Sequence, residues 1–171
     1  MKIKEIGLRL YQKSEQTYDD IPISKIHSAA DAAEVFEKVF QMSEEPQEMF
    51  CALYLNAQNE PVGIGTIQIG SNVAVSLSPA EVFKRALLCN APRVILAHNH
   101  PSGCVQPSKK DMELTINIGK LGMLMGVQLT DHIVIGGGNY ISLVELLKQE
   151  KENPEIEREY LAEPLIDEIP Y

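Results

Sequence analysis

The sequence predicts one α/β (α+β) domain in which a mixed β-sheet is flanked by helices. Segments with helical spacing of apolar residues alternate with short apolar runs, which is the pattern of interleaved helices and strands. The chain has 171 residues, 44% of them hydrophobic, so one domain can bury a substantial core. We assign the domain to residues 23–151, with an N-terminal extension at 1–22 and an acidic C-terminal tail at 152–171.

The first half of the domain is predicted to begin with a helix and a hairpin. Ser28 followed by Asp31 is typical of a helix start, and apolar residues continue at helical spacing until about Met42. Two strands, Glu48–Leu55 and Val62–Ile69, are joined by a polar loop that predicts a hairpin. Two further segments are compatible with short strands, Glu5–Tyr11 in the extension and Val73–Leu77 after the hairpin.

The second half alternates helices with shorter strands. Ser78 and Pro79 open a helix that runs to about Cys89, since Ser suits the N-cap and Pro the first turn. A nearly all-apolar strand follows at Arg93–Ala97 and is of the kind that is buried on both faces. The remaining elements are a loop from His98 to Pro107, a helix from Ser108 that stops at Gly126, strands Val127–Ile135 and Tyr140–Ser142, and a helix from Leu143 to about Lys151.

Charge and composition exclude several classes of protein. The net charge is −9, and residues 152–171 account for −6 of it through seven acidic residues and one arginine. Because no basic run occurs, binding to nucleic acid through phosphate neutralisation is not supported. No apolar stretch approaches the roughly 20 residues needed to span a bilayer, and the N-terminus lacks the apolar core of a signal peptide. We therefore expect a cytoplasmic protein without a membrane anchor.

One group of residues has the composition of a metal site. The three cysteines form no C-x-x-C pair, so any metal ion must be held by histidine and carboxylate. His98 and His100 follow a buried strand, and Asp111 is expected in the first turn of the next helix. We expect the two histidines to converge because Pro101 and Gly103 bend the loop. Two imidazoles and one carboxylate suit Zn²⁺ and leave a fourth position for water.

The spacing of these residues resembles a known signature. His98-x-His100, seven residues, Ser108, two residues and Asp111 match the H-x-H-x₇-S-x₂-D pattern of JAB/MPN (JAMM) metalloproteases. The longer string HNHPSG and the later string DHIVIG are similar to the bacterial RadC-like JAB domain. The similarity covers roughly residues 23–148. No helix–hairpin–helix region precedes it in this sequence, so we expect a stand-alone form of that domain.

The resemblance implies a JAB/MPN-like (cytidine-deaminase-like) fold and a hydrolase with one Zn²⁺ per chain, bound by His98, His100 and Asp111. It also implies a catalytic glutamate on the strand after the first helix, where Glu48 stands. In the implied mechanism Glu48 takes a proton from a zinc-activated water and passes it to the leaving amine, while Ser108 donates to the developing oxyanion. The implied targets are peptide, isopeptide or related amide bonds of a protein or peptide substrate.

Several of these residues have a structural alternative. Ser108 also matches a helix-capping pattern, and the alternative for Glu48 is an ordinary exposed carboxylate. For Asp131 and His132 the favoured interpretation is a pair at a strand entrance, with orientation of a metal ligand as the alternative. Cys104 is interpreted as a loop residue without a role, the alternatives being a fourth ligand or redox control.

Three positions depart from the usual patterns without removing a proposed ligand. Asn99 stands where many JAMM enzymes have Ser or Thr, and RadC-like proteins share it. Cys104 replaces a usual Asp, and Ala80 a usual Arg, so the family's substrate contacts are not carried over to this chain.

The rival function is a non-catalytic metal-binding JAB domain that acts as a protein-interaction module, linked to DNA repair by family name only. A homo-oligomer is compatible with either function. The tripeptide HNH does not indicate an HNH nuclease, whose motif is named for dispersed residues. A zinc deaminase would need H-x-E with P-C-x-x-C, and both are absent from this sequence.

Overall fold

Four helices and five strands alternate along the part of the chain that the computed structural model describes, residues 24–70 and 77–150. Two helices begin at predicted caps, since the side chains of Ser28 and Ser108 each accept a hydrogen bond from the backbone three residues on. The elements are α1 (Ala29–Phe40), β1 (Met49–Leu55), β2 (Pro61–Ile69), α2 (Pro79–Leu88), β3 (Arg93–Asn99), α3 (Lys109–Met125), β4 (Gln128–Gly136), β5 (Asn139–Ser142) and α4 (Leu143–Glu150).

The strands form one mixed sheet in the order β2-β1-β3-β4-β5. β1 runs antiparallel to both β2 and β3, β3 runs parallel to β4, and β4 runs antiparallel to β5. Two neighbouring parallel strands need a crossover connection, which α3 supplies between β3 and β4. The predicted α/β class and the mixed sheet are therefore confirmed.

Helices cover both faces of the sheet. On one face Phe36 of α1 shares a core cluster with Leu53 of β1. On the other face Phe83 of α2 shares a cluster with Leu96 of β3 and Ile118 of α3. Because both faces are covered, every residue of β1 is buried. Across residues 24–70 and 77–150, no helix is both long enough and apolar enough to cross a membrane.

Two element boundaries differ from the prediction in ways that matter for the site. β1 begins at Met49, so Glu48 is the residue that precedes the strand. β3 continues to Asn99, where a loop from His98 was predicted, because its last residues pair with β1 on one side and β4 on the other. The predicted strand at Glu5–Tyr11, the predicted strand at Val73–Leu77 apart from its last residue, and the segments 1–22 and 152–171 lie outside the described residues.

Two glycines three residues apart in α3 differ in the space around them. A Cβ at Gly122 would lie 2.3 Å from the carbonyl oxygen of Val127, whereas one at Gly119 would meet nothing within 4 Å. We expect Gly122→Ala to lower the free energy of unfolding by about 1–3 kcal/mol through overpacking. Gly119→Ala should instead raise it by up to ~1 kcal/mol through helix propensity. Urea denaturation measures both, and equal effects would contradict the close contact at Gly122.

Candidate metal centre

Three side chains with metal-ligating atoms meet where β3 ends and α3 begins. His98 lies in β3, His100 directly follows it, and Asp111 lies in the first turn of α3. The Nε2 atoms of His98 and His100 are 3.1 Å apart. Carboxylate oxygens of Asp111 lie 3.5 Å from Nε2 of His98 and 3.7 Å from Nε2 of His100. One ligand atom from each residue falls within 4.8 Å of the others, so the fold brings the three predicted ligands around one point.

The two histidines converge because alternate residues of an extended chain share a face. The N–H of His100 donates to the carbonyl of Ile135 at 2.8 Å and so extends the pairing of β3 with β4 by one residue. The chain turns only after His100, where the N–H of Gly103 donates to the carbonyl of His100 at 2.9 Å. The predicted cause of convergence, a bend of the loop, is therefore wrong. Strand geometry aligns the two imidazoles.

A chain of hydrogen bonds fixes the tautomer of His98. The hydroxyl of Thr115 donates to the backbone carbonyl of Asp111 at 2.6 Å, so its oxygen accepts from Nδ1–H of His132 at 2.7 Å. Nε2 of His132 is then an acceptor, and Nδ1–H of His98 donates to it at 2.9 Å. His98 consequently presents the lone pair of Nε2 to the centre of the group.

His100 is held in the same way by a backbone group. Its Nδ1–H donates to the carbonyl of Cys104 at 2.7 Å, which leaves the Nε2 lone pair directed at the centre. Two such lone pairs and the Asp111 carboxylate repel one another at these distances unless a proton or a cation lies between them. The set therefore fits a divalent cation, and two nitrogens with one oxygen suit Zn²⁺ with one open position.

Burial and charge set the protonation of these groups. Burial lowers the pKa of His98 well below its ordinary value and that of His132 to about 4, so both are neutral at pH 7. The Asp111 carboxylate raises the pKa of His100. Burial opposes ionisation of Asp111, but the neighbouring histidines and hydrogen bonds from Ser108 outweigh it and hold the pKa of Asp111 below its ordinary value. Of the three histidines, His100 is therefore the one that takes up a proton first as the pH falls.

Glu48 is an exposed residue whose carboxyl group interacts electrostatically with Asp111 and His100. Phe50 pairs with His98 in the β1–β3 register, so two residues earlier Glu48 falls opposite His100 and on the same face of the sheet. Partial burial raises the pKa of Glu48, the Asp111 carboxylate raises it further, and His100 opposes the shift. Glu48 therefore lies on the same face of the sheet as His98 and His100 and within electrostatic range of His100 and Asp111, and its role as a base stays a prediction.

Ser108 forms the predicted helix cap. Its Oγ accepts a hydrogen bond from the N–H of Asp111 at 3.3 Å and donates one to Oδ2 of Asp111 at 2.6 Å. The N–H of Ser108 donates to the same Oδ2 at 2.7 Å, which completes a capping box. The structural alternative for Ser108 is therefore present, and its role toward an oxyanion stays a prediction.

Sequence reasoning misjudged His132 and missed Thr115. His132 was interpreted as a strand-entrance residue, but it is fully buried and bonded to His98. The side chain of its neighbour Asp131 contacts no metal ligand: Oδ1 accepts hydrogen bonds from the hydroxyl of Ser142, near the start of α4, and from the backbone N–H of His132, each at 2.7 Å. The position of His132 in the sequence could have indicated this role. A histidine inside a nearly continuous apolar strand is buried and needs polar partners.

Comparisons with known proteins agree on one family. Residues 26–150 match the family model of the RadC-like JAB domain. A UPF0758 protein of Staphylococcus haemolyticus is 39% identical over 141 residues, which cover 82% of this chain and 59% of the relative. A UPF0758 protein of Shouchella clausii is 43% identical over 141 residues, which cover 82% of this chain and 58% of the relative. A UPF0758 protein of Methanosarcina mazei is 39% identical over 129 residues, which cover 75% of this chain and 55% of the relative. The chain thus spans little more than half the length of these relatives.

The geometry predicts one tightly bound divalent metal ion per chain. Elemental analysis of the purified protein, or titration of the chelated protein with Zn²⁺, should give about one equivalent. Each of His98→Ala, His100→Ala and Asp111→Ala removes one of three protein ligands and should abolish that binding. A wild-type preparation that neither contains nor takes up metal would contradict the interpretation of the site.

A second prediction concerns the histidine behind the site. His132→Phe keeps a buried ring but leaves Nδ1–H of His98 without its acceptor, so Zn²⁺ affinity should fall by roughly 10- to 100-fold. Competition with a chromophoric chelator measures the change. Asp131→Asn is the control, because the Asp131 carboxylate bonds to the hydroxyl of Ser142 and to the backbone N–H of His132, and to no proposed metal ligand. Unchanged affinity in His132→Phe would show that His98 is oriented by packing alone.

Proposed function

This chain belongs to the RadC-like JAB domain family, and from that membership we propose that it is a zinc-dependent hydrolase of the JAMM metalloprotease type. Its reaction is hydrolysis of a peptide, isopeptide or related amide bond. The observation that carries the proposal is the set of two lone-pair-bearing imidazole nitrogens and one carboxylate around a single point. Structural zinc sites usually have four protein ligands, whereas three leave a position for water or substrate.

Exposure supports a site that a substrate can reach. The side chain of His98 is fully buried, while that of Asp111 is 10% exposed and that of His100 is 20% exposed. The group therefore opens to solvent on the side of His100 and Glu48. When bound there, Zn²⁺ supplies Lewis acidity, which polarises an amide carbonyl and makes water nucleophilic near neutral pH.

We assign proton transfer to Glu48. In the proposed reaction its carboxylate takes a proton from the attacking water and returns it to the leaving nitrogen. A pKa raised above the ordinary value helps both steps, because the carboxylate is a stronger base and its acid form persists closer to neutral pH. The position of Glu48 opposite His100 supports this role, since it puts the carboxylate at the open side of the group.

Ser108 is the proposed donor to the oxyanion that develops during attack. Its hydroxyl hydrogen points to Oδ2 of Asp111, but rotation about the Cβ–Oγ bond can redirect it. The oxygen can keep accepting from the N–H of Asp111 during that rotation. Capping of α3 and donation to an oxyanion are therefore compatible in one side chain.

Glu48→Gln tests the assignment of the base. This variant keeps the size of the side chain but cannot accept the proton, so turnover should fall by at least about 100-fold while Zn²⁺ affinity stays near the wild-type value. The measurement is hydrolysis of a panel of fluorogenic peptides and isopeptides, together with metal titration.

Glu44→Gln is the matched control, because Glu44 is a nearby exposed carboxylate that lies before Pro46 and outside the proposed site. It should retain wild-type turnover. Full activity of Glu48→Gln would show that another group transfers the proton. A zinc-loaded wild-type protein that cleaves no member of the panel would favour a non-catalytic interaction module instead.

A further inference from the structure

Asn99 is a buried polar residue that takes no direct part in the proposed metal binding or proton transfer. It is the last residue of β3 and is 1% exposed. Its amide makes three hydrogen bonds, all to the backbone of one short segment. Oδ1 accepts from the N–H of Met49 at 2.7 Å, and Nδ2 donates to the carbonyls of Glu45 and Gln47 at 3.1 Å each.

These bonds flank Glu48 on both sides. The segment 45–49 connects the end of α1 to the start of β1 and has no regular secondary structure before Met49. The segment has other backbone support: the N–H of Gly70 donates to the carbonyl of Glu48 at 2.7 Å, the N–H of Glu45 donates to the carbonyl of Met42 at 3.4 Å, and Met49 pairs with β2. Among residues 24–70 and 77–150, no side chain forms a hydrogen bond or ion pair with the Glu48 carboxylate. The backbone on either side therefore determines where that carboxylate lies.

Asn99 reaches this segment because successive side chains of β3 point to opposite faces of the sheet. His98 and His100 point to the face of the sheet that α3 covers, and Asn99, between them, points to the opposite face. On that face Met49 is its register partner by extension of the β1–β3 pairing. Three consecutive residues thus hold two metal ligands on one side and the base-bearing segment on the other.

We propose that Asn99 is the positioning residue of the base, which holds residues 45–49 so that Glu48 stays beside the metal ligands. The inference rests on the proposed function of Glu48. An amide is required at position 99 because the segment presents one N–H and two carbonyls. A serine or threonine hydroxyl has a single hydrogen to donate, and an ionised aspartate has none.

The test compares Asn99→Ala with Asn56→Ala in the full chain. Asn56 is a matched control, because its side chain also makes three local hydrogen bonds, at the far end of β1 from Glu48. We expect Asn99→Ala to reduce kcat on a fluorogenic peptide selected with the wild-type protein by at least 10-fold, with KM and Zn²⁺ affinity within threefold. Asn56→Ala should keep kcat within twofold.

Hydrogen exchange supplies a readout that needs neither metal nor substrate. In zinc-free protein the amide of Met49 should exchange at least 10-fold faster in Asn99→Ala than in wild type, and at the wild-type rate in Asn56→Ala. Protection of Met49 that is unchanged in Asn99→Ala overturns the proposal. If Asn99→Ala does not fold, Asn99→Asp preserves size and the acceptor but removes both donors, and the same loss of kcat is expected.

A double variant separates positioning from general stabilisation. In the Glu48→Gln background the base is already lost, so adding Asn99→Ala should reduce the residual rate by less than twofold. A further 10-fold loss would show that Asn99 acts independently of Glu48 and would overturn the inference, as would wild-type kcat in Asn99→Ala. Failure of the proposed function looks different: zinc-loaded wild-type protein then cleaves nothing, and the positioning of a base falls with it.

Discussion

The parallel pairing of β3 with β4 is the constraint on which the rest of the site depends. It brings His132 onto the same face as His98, and the crossover through α3 carries Asp111 and Thr115 to that face as well. The hydrogen bonds that His98 donates to His132 and that His132 donates to Thr115 follow from this arrangement. A buried histidine needs polar partners, and each member of the chain satisfies the next. The orientation of the metal-facing lone pair is thus a property of the sheet and not of a flexible loop.

Much of this fold could be predicted from the sequence, because apolar periodicity and cap residues are local signals. The helices beginning after Ser28 and Ser108 illustrate this, and the ligand set followed from the spacing of His98, His100 and Asp111. Partners distant in sequence could not be predicted. His132 is 34 residues from His98, and only strand register brings Nε2 of His132 within 2.9 Å of Nδ1 of His98.

The role of Asn99 was equally inaccessible from sequence, for a different reason. Its partners are backbone groups. Because nearly every residue has a backbone carbonyl and N–H, the sequence does not indicate which of them Asn99 binds. The extent of β3 presented the same difficulty, since pairing with β1 and β4 carries the strand two residues past its apolar run. The chemical nature of the site side chains could be inferred from the sequence. The hydrogen bonds that orient these side chains could be identified only from the folded backbone.

The capping box at Ser108 and Asp111 is one of several contacts that hold the metal-site side chains without help from a metal ion. One oxygen of the Asp111 carboxylate is already tied to the first turn of α3, and both imidazoles are already tied from behind. The orientation of these side chains therefore rests on hydrogen bonds within the protein, unlike that of small zinc domains that fold only when they bind their metal. A chelator should therefore remove a bound metal ion without unfolding the chain.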